Sequence, residues 1–398
     1  MRVCFETFGC RLSRAEALQQ EAECVARGME ITRSHADADL IIVRGCSVTR
    51  RAQRDCEKLI EHLKAKYPLK RVLVTGCLPD KTSEKLAQLY LKERHPEAVP
   101  MRTARAYLKV QDGCNARCSF CIVPQFRGNS VSIPVEDVLD RAKRFVEVGY
   151  EEIVLTGCNL THYAWEGKQL PELLAAISDA VGSSARLRIG SLEPVPMARE
   201  VISLMAEREN FCRFLHLPIQ SGSDRILKAM RRPYTLADVS GLLEMIAADL
   251  PSLGLGCDLM TGFPGEFEAD YIKTEALMRR YPLSKAHIFP YSERPNTVAA
   301  MLQPVVEREI RHQRARQLAQ IGEENYTRFL KSFVGKTVEI VIEDEKRMSG
   351  WTSEYLPARL LPIFIDSARS SRQWKRRQRA RIHVKEVREG ELFGQPLY

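Results

Sequence analysis

The chain runs to 398 residues, 44% of them hydrophobic and 28% charged, with twelve cysteines and a formal net charge of +9. That length predicts two or three domains, since one core rarely grows past ~250–300 residues; the composition excludes global disorder, and no apolar run nears the ~18 residues of a membrane span. Met1-Arg-Val-Cys-Phe-Glu enters a strand-like segment with no apolar signal core, so a cytoplasmic protein with reduced thiols is expected, and its positive charge suits a polyanion such as nucleic acid without requiring one.

Three apolar runs in the first hundred residues each lead into a Gly-Cys pair. Arg2-Val-Cys-Phe-Glu-Thr-Phe precedes Gly9-Cys10, Asp39-Leu-Ile-Ile-Val-Arg precedes Gly45-Cys46, and Arg71-Val-Leu-Val-Thr precedes Gly76-Cys77. Each run reads as a buried strand, and the segments between them, Ser13 to Arg27 and Arg50 to Tyr67, read as helices. Alternating strands and helices predict a parallel sheet whose ligands gather beyond the carboxyl ends of the strands. Cys10, Cys46 and Cys77 would then meet at one edge as a three-thiolate metal site, glycine allowing close approach. The alternative is three unrelated buried cysteines. Cys4, Cys24 and Cys56 lack this context and read as packing residues.

A CxxxCxxC loop follows, with Cys114, Cys118 and Cys121 and no nearby fourth cysteine. Cubane iron–sulfur clusters are normally held by four cysteines, so three would leave one iron open. A zinc ribbon needs a second CxxC or a His pair, and neither stands downstream; a disulfide with a spare thiol, or structural burial, remains the bland reading. From about Arg105 to Leu330 short apolar runs at Ile153, Leu187, Phe214, Leu255 and Ala286 alternate with helical patterns such as Val135 to Val148 and Leu236 to Leu250. This predicts a partial (β/α) barrel with its site at the C-terminal strand ends. Cys158, after Glu152-Ile-Val-Leu-Thr-Gly, imitates the Gly-Cys pattern and is assigned to pocket or core. Glu193 and Asp258 are candidates for binding a ligand hydroxyl or ammonium, or else cap loops or pair with Arg186 or Arg188. His216 and His287 read as satisfied core or pocket histidines.

Residues 331–398 change to strand-period alternation with turn glycines, a small all-β module. Arg369 to Arg388 holds nine Lys or Arg against one Glu. Arg372, Lys375, Arg376, Arg377 and Arg379 are candidate phosphate contacts, and Trp374 among them a candidate for stacking on an unpaired base; a solvated basic loop is the alternative. Arg311 to Arg316 adds basic charge that on a helix could equally be a surface face.

The CxxxCxxC loop resembles that of radical S-adenosylmethionine (SAM) enzymes. With both cysteine triplets the chain resembles the methylthiotransferases, through Ile153-Val-Leu-Thr-Gly-Cys-Asn159, Ser191-Leu-Glu-Pro194, Leu215-His-Leu-Pro-Ile-Gln-Ser-Gly-Ser-Asp224, Met230-Arg-Arg-Pro-Tyr-Thr235, Asp258-Leu-Met-Thr-Gly-Phe-Pro-Gly-Glu266 and His287-Ile-Phe-Pro-Tyr-Ser-Glu-Arg294. The branch acting on threonylcarbamoyl-adenosine at tRNA position 37 is nearest in pattern, notably in His287 to Ala300 and Gly350-Trp-Thr-Ser-Glu-Tyr355. The resemblance implies an α/β chain: a parallel-sheet auxiliary-cluster domain at 1–100, a partial (β/α) radical SAM barrel at 101–330 and a TRAM-like RNA-binding barrel at 331–398. It implies two 4Fe-4S clusters and SAM, with Gly157 and Asn159 near the cofactor's methionine and Ser191, Glu193, Gln220 and Ser221 lining the pocket. The implied reaction places a methylthio group on carbon 2 of the modified adenosine, with the tRNA anticodon loop and an electron donor such as flavodoxin or ferredoxin as partners, no membrane, and a monomeric enzyme. Rival readings are isopentenyl-adenosine tRNA or a ribosomal-protein aspartate as substrate, or a non-catalytic iron–sulfur RNA-binding protein. The chain departs from the family in having Ser13 where Asn is usual, Arg44-Gly45 in place of Asn-Thr, and a shorter stretch between Cys77 and Cys114.

Overall fold

The runs that end in Gly-Cys form one parallel sheet. A computed structural model describes residues 1–77, 99, 102–361 and 374–397. Strands β1 (Arg2–Thr7), β2 (Glu30–Thr32), β3 (Leu40–Gly45) and β4 (Arg71–Gly76) lie in the order β2-β1-β3-β4, all parallel. Every residue of β3 is buried, as expected of a central parallel strand covered on both faces. Helix α1 (Arg11–Ala26) and helix α2 (Arg50–Lys66) make the crossovers, and the Thr49 side chain caps α2 by accepting from the Ala52 N–H. The short edge strand β2, with too few residues to show a period, was not expected from the sequence.

The second unit places β5 (Ala106–Lys109), β6 (Glu152–Thr156), β7 (Arg186–Arg188), β8 (Phe214–Gln220), β9 (Gly254–Thr261) and β10 (Lys285–Pro290) side by side in chain order. Two parallel bridges, Leu187 to Phe211 and Ser191 to His216, carry the sheet from β7 to β8. No pairing joins β5 to β10 among the described residues, so the barrel is open on that side. Alternate residues such as Leu108, Leu155, Leu187, Leu217 and Leu259 pack into the main core, against helices α3 (Val135–Glu147), α4 (Leu170–Val181), α5 (Met197–Glu207), α6 (Leu236–Asp249) and α7 (Glu268–Arg280). The intervening positions, which point to the opposite face of each strand, carry Lys109, Glu152, Arg186, Arg188, His216, Asp258, Lys285 and His287 and line the barrel interior.

Helix α8 (Arg308–Lys331) leads to a closed barrel of β11 (Thr337–Asp344), β12 (Ser349–Thr352), β13 (Pro357–Leu360), β14 (Arg379–Arg388) and β15 (Glu391–Leu397), in the order β11-β12-β13-β15-β14. No helix among the described residues is long and apolar enough to cross a membrane.

The two barrels are joined through buried charge. Glu152 is completely buried and accepts from Arg188 Nε at 2.7 Å and Arg186 Nε at 2.8 Å. Those guanidiniums also donate to backbone carbonyls of the C-terminal barrel, Arg186 to Glu339 and Trp351 at 2.9 and 2.8 Å, Arg188 to Ser353 and Thr352 at 3.0 and 2.9 Å. Burial would raise the Glu152 carboxyl, yet Arg188 and Arg186 outweigh it and hold it well below the usual range.

This packing corrects part of the basic cluster assigned to RNA. Trp374 lies inside the C-terminal core with Val338, Ile340 and Ile382, so its ring is not presented for stacking on a base. The Arg377 guanidinium sits over Tyr150 at 4.2 Å and donates to Thr103 and Val148 carbonyls. Arg379 pairs with Glu151 at 3.2 Å and donates to the Ser183 carbonyl. Both arginines thus bind the neighbouring unit. Lys375 and Arg376 remain exposed, while Arg372 lies outside the described residues. On α8, Arg311 and Arg314 are buried and paired with Glu293, Glu266 and Glu268, so the basic run there is no continuous surface face.

Replacing Glu152 by Gln leaves buried guanidiniums without their anion, a loss of about 3 kcal/mol or more. Urea unfolding of Glu152→Gln should show that deficit; a midpoint equal to wild type would mean that the ion cluster does not hold the barrels together.

Candidate functional site

Cys46 and Cys77 follow directly on β3 and β4, and Cys10 lies three residues beyond the end of β1; the carboxyl ends align through the Thr7 to Arg44 and Gly45 to Gly76 registers. Gly9 and Gly76 have φ of 105° and 90°, a region costly for other residues. Their space is also closed: a Cβ on Gly9 would fall 3.1 Å from Cys46 Cβ, and one on Gly76 would fall 2.7 Å from the Gly45 carbonyl oxygen. The glycines therefore let the three strand ends converge. A Cβ on Gly9, next to Cys10, would also fall 3.3 Å from Cys46 Sγ; burial pushes the Cys46 thiol up, and the Cys77 and Cys10 sulfurs push it further. Cys56 lies behind it, its sulfur accepting from the Cys46 N–H; Cys4 and Cys24 are buried in packing.

The second triplet sits at the carboxyl end of the radical barrel. Its loop is pinned from several sides: the Cys114 N–H donates to the Gly128 carbonyl and Ser119 bonds Met230 and Ala229. The Asn115 N–H donates to His162 Nδ1, itself 3.8 Å from Cys114 Sγ. Burial pushes the Cys121 thiol up to about 12, with Cys118 and Cys114 adding to it. Three mutually interacting sulfurs, with Arg232 Nη1 donating to Cys118 Sγ at 3.0 Å, form a donor set that fits a cluster held by three thiolates, whose negative charge needs such cationic support.

Arg127 joins the two triplets. It belongs to the short helix Val123–Arg127 just after the CxxxCxxC loop, and its Nε donates to Cys77 Sγ of the other triplet at 3.1 Å. Its remaining nitrogens bond Glu16 on α1 at 3.0 Å and Asp112 at 2.9 Å. Lys109 bonds the same two carboxylates at 2.6 Å each, and Arg44 pairs with Glu16 from the β3 side. The Arg44 that departs from the family pattern is thus a counter-ion in this network. Cys158 lies beside it, 3.4 Å from Asp112 Oδ1.

The expected pocket residues fall into distinct settings. Asn159 is within hydrogen-bond reach of Cys114, its backbone N–H held by the fully buried Gln111 side chain at 3.0 Å, and Gly157 packs on that same glutamine. Glu193 pairs neither with Arg186 nor with Arg188; it accepts from Arg232 at 2.6 Å, one guanidinium away from Cys118. Gln220 ends β8 with φ of 70°, a strained value for a residue with a side chain, and has no side-chain hydrogen bond among the described residues. Ser191 is exposed at the β7–β8 seam. Ser221, by contrast, is almost fully buried, its hydroxyl accepting from the Ser223 N–H and lying against Thr274 of α7. Asp258 takes His216 at 3.1 Å and His287 at 3.4 Å, which satisfies both histidines as expected. Sequence reading missed Arg127, Glu16, Lys109, Gln111 and Arg232 as site residues, although Arg232 lies in the Met230–Thr235 motif and Lys109 and Gln111 lie in the run that leads into the CxxxCxxC loop.

Burial by itself would raise the Glu16 carboxyl, but the Arg127 hydrogen bond and the charges of Arg44 and Lys109 hold it down at about 2, against an ordinary 4.5. Folding lowers its proton affinity, so its contribution is complete above pH 4.5 and is lost as pH falls toward 2. Thermal melts should show Glu16→Gln less stable than wild type at neutral pH, with the gap closing as pH falls toward about 2; a gap independent of pH would exclude the carboxylate charge as its source.

Residues 108–278 match the Radical SAM superfamily, and residues 2–94 match Uncharacterized protein family UPF0004. The chain is 30% identical to threonylcarbamoyladenosine tRNA methylthiotransferase MtaB of Aquifex aeolicus, over 87% of its own length and 94% of that protein. It is 31% identical to tRNA-2-methylthio-N(6)-dimethylallyladenosine synthase of Chlorobium limicola, covering 86% of this chain and 87% of that one. The solved structure of the radical S-adenosylmethionine methyltransferase TsrM from Kitasatospora setae shares the fold at a TM-score of 0.55 and 13% identity, over 75% of this chain and 77% of that one. Two cysteine triplets on this scaffold, in a chain so related across its length, make it a member of the radical S-adenosylmethionine family of tRNA methylthiotransferases.

Proposed function

We propose that the chain places a methylthio group on carbon 2 of N6-threonylcarbamoyladenosine at position 37 of tRNA. The observation that carries the reading is the junction of two cysteine triplets through Arg127, because this reaction needs a hydrogen-abstracting centre and a sulfur source near one substrate. Cys114, Cys118 and Cys121 would hold one 4Fe-4S cluster, and Cys10, Cys46 and Cys77 a second. When bound, the clusters and SAM would supply one-electron cleavage of the cofactor, hydrogen abstraction at carbon 2 and a sulfur for transfer.

The polypeptide orients and insulates. Gln111 fixes the Asn159 backbone beside Cys114, Arg232 holds the Glu193 carboxylate toward the same loop, and the strained Gln220 keeps an uncommitted amide at the strand end. Gly157 and Ser191 complete the cofactor wall. We assign the units to 1–100, 101–330 and 331–398, the last gripping the anticodon loop through the exposed Lys375, Arg376, Arg381 and Lys385. The enzyme would work as a cytoplasmic monomer reduced by flavodoxin or ferredoxin.

Nucleosides from a deletion strain should lose the 2-methylthio form of threonylcarbamoyladenosine and keep that of isopentenyladenosine; the reverse pattern would transfer the assignment to the prenylated substrate. Joint replacement of Cys10, Cys46 and Cys77 by Ala should remove about half the iron of the reconstituted protein, and full iron retention would exclude the auxiliary cluster. Charge removal at Lys375, Arg376, Arg381 and Lys385 should weaken tRNA binding and flatten its salt dependence by up to about four counterions; an unchanged slope would place the RNA elsewhere.

A further inference from the structure

Tyr355 lies in the turn between β12 and β13 with φ of 65°, and its ring stacks on Trp351 at 4.7 Å and meets Phe214 of the radical barrel at 4.9 Å. Four cations, one from the first unit and three from the second, stand around this ring. Lys285 is 4.2 Å from its centroid, Arg188 4.9 Å, Arg11 5.2 Å and Arg105 5.6 Å. Arg188 and Arg105 have their anions in Glu152 and Glu343. Lys285 and Arg11 have no carboxylate partner among the described residues. Burial and the neighbouring guanidiniums push the Lys285 ammonium below its ordinary range, and although burial acts the other way on Tyr355, Arg11, Arg105 and Lys285 bring that phenol down to about 8. Two half-buried cations without a carboxylate partner, beside two that have one, make a place where a further anion is stabilised.

Its position gives the anion a role. Lys285 starts β10, and its side chain shares a face with His287 two residues on, whose ring is 48% exposed and faces the Asp258–His216 pair. The strand rises ~3.3 Å per residue, so Lys285 stands about 17 Å below the carboxyl end of β10, the barrel end that bears the cysteine loop. That depth accommodates the cofactor next to the cysteines and the modified purine beneath it, its N6 substituent toward Lys285. Arg11 reaches the same point from α1, and β10 is an edge of the barrel's open side.

We propose that Lys285 and Arg11, seated on the Trp351–Tyr355 stack, bind a carboxylate carried by the N6 substituent of the substrate adenosine. The inference rests on the reading of the chain as a position-37 methylthiotransferase and names what selects its substrate. A threonylcarbamoyl group carries such a carboxylate, whereas a dimethylallyl group would leave two desolvated cations unpaired, an arrangement that discriminates strongly.

The test uses full-length protein, reconstituted anaerobically, and anticodon stem-loops of one sequence whose position-37 adenosine carries threonylcarbamoyl, its methyl ester or no substituent. Wild type should bind the acid about tenfold or more tighter than the ester. Lys285→Met should bring that ratio close to one, and Lys285→Arg should restore most of it. Equal binding of acid and ester by wild type would overturn the proposal with no variant needed. So would a Lys285→Met protein that weakens on all three RNAs by one factor, which marks a backbone-phosphate contact. If wild type forms methylthio product on the acid RNA yet shows no acid preference, the carboxylate site fails and the assigned reaction stands; if it forms none, both fail.

Discussion

The guanidinium of Arg127 is covalently part of the loop that bears one cysteine triplet and hydrogen-bonds a sulfur of the other. That contact sets how far apart the two sites can be. It is also expensive to leave incomplete, because a buried guanidinium without anions is strongly destabilising, and here Glu16 arrives from the first unit and Asp112 from the second to complete it. Lys109 joins both carboxylates and Arg44 joins Glu16, so three cations face two anions. The surplus positive charge lies beside the Cys77 sulfur, where it would offset the negative charge of a cluster bound there. The same ions that fasten the units together therefore condition the cysteines they bring into register.

At the opposite end of the radical barrel a second buried ion group does mechanical work of a different kind. Arg186 and Arg188 spend half their donors on Glu152 and the rest on backbone carbonyls of the C-terminal barrel. Backbone acceptors fix orientation more tightly than side chains would, since they cannot rotate away. With Arg377 and Arg379 also turned inward, much of the positive charge that suggests an RNA partner is structural. Of that cluster, Lys375 and Arg376 are exposed, as are the outward positions Arg381 and Lys385 of β14, which alternate with the buried Ile382 and Val384, and Arg388, which pairs with Glu386.

Local pattern made the strands, the main helices and the meeting of Cys10, Cys46 and Cys77 legible, because strand period and parallel topology leave few places for a strand end to go. Register was not legible. Arg186 stands opposite Glu152 on the neighbouring strand, so the alternative pairing of Arg186 or Arg188 with Glu193 or Asp258 does not form, although Glu193 is only seven and five residues away in the chain. Trp374 misled for a related reason: a tryptophan among arginines has the composition of a base-stacking loop, and only closure of the barrel reveals that it faces the core. Arg127 carried no signal at all, since its partners Glu16 and Cys77 are 111 and 50 residues away.

One device recurs along the barrel axis: a cation placed against a polarisable group, with a carboxylate behind it. Arg127 meets Cys77 and is backed by Glu16 and Asp112; Arg232 meets Cys118 and is backed by Glu193; Arg188 meets Tyr355 and is backed by Glu152. At Lys285 and Arg11 the cation and the aromatic face are present and the carboxylate is missing among the described residues. Desolvating an ammonium without an anion opposes folding, so this site, unlike the three neutralised ones, retains a cost that a bound anion would offset. The chemistry of the absent partner follows from its neighbours in the series: in each of them, it is a carboxylate.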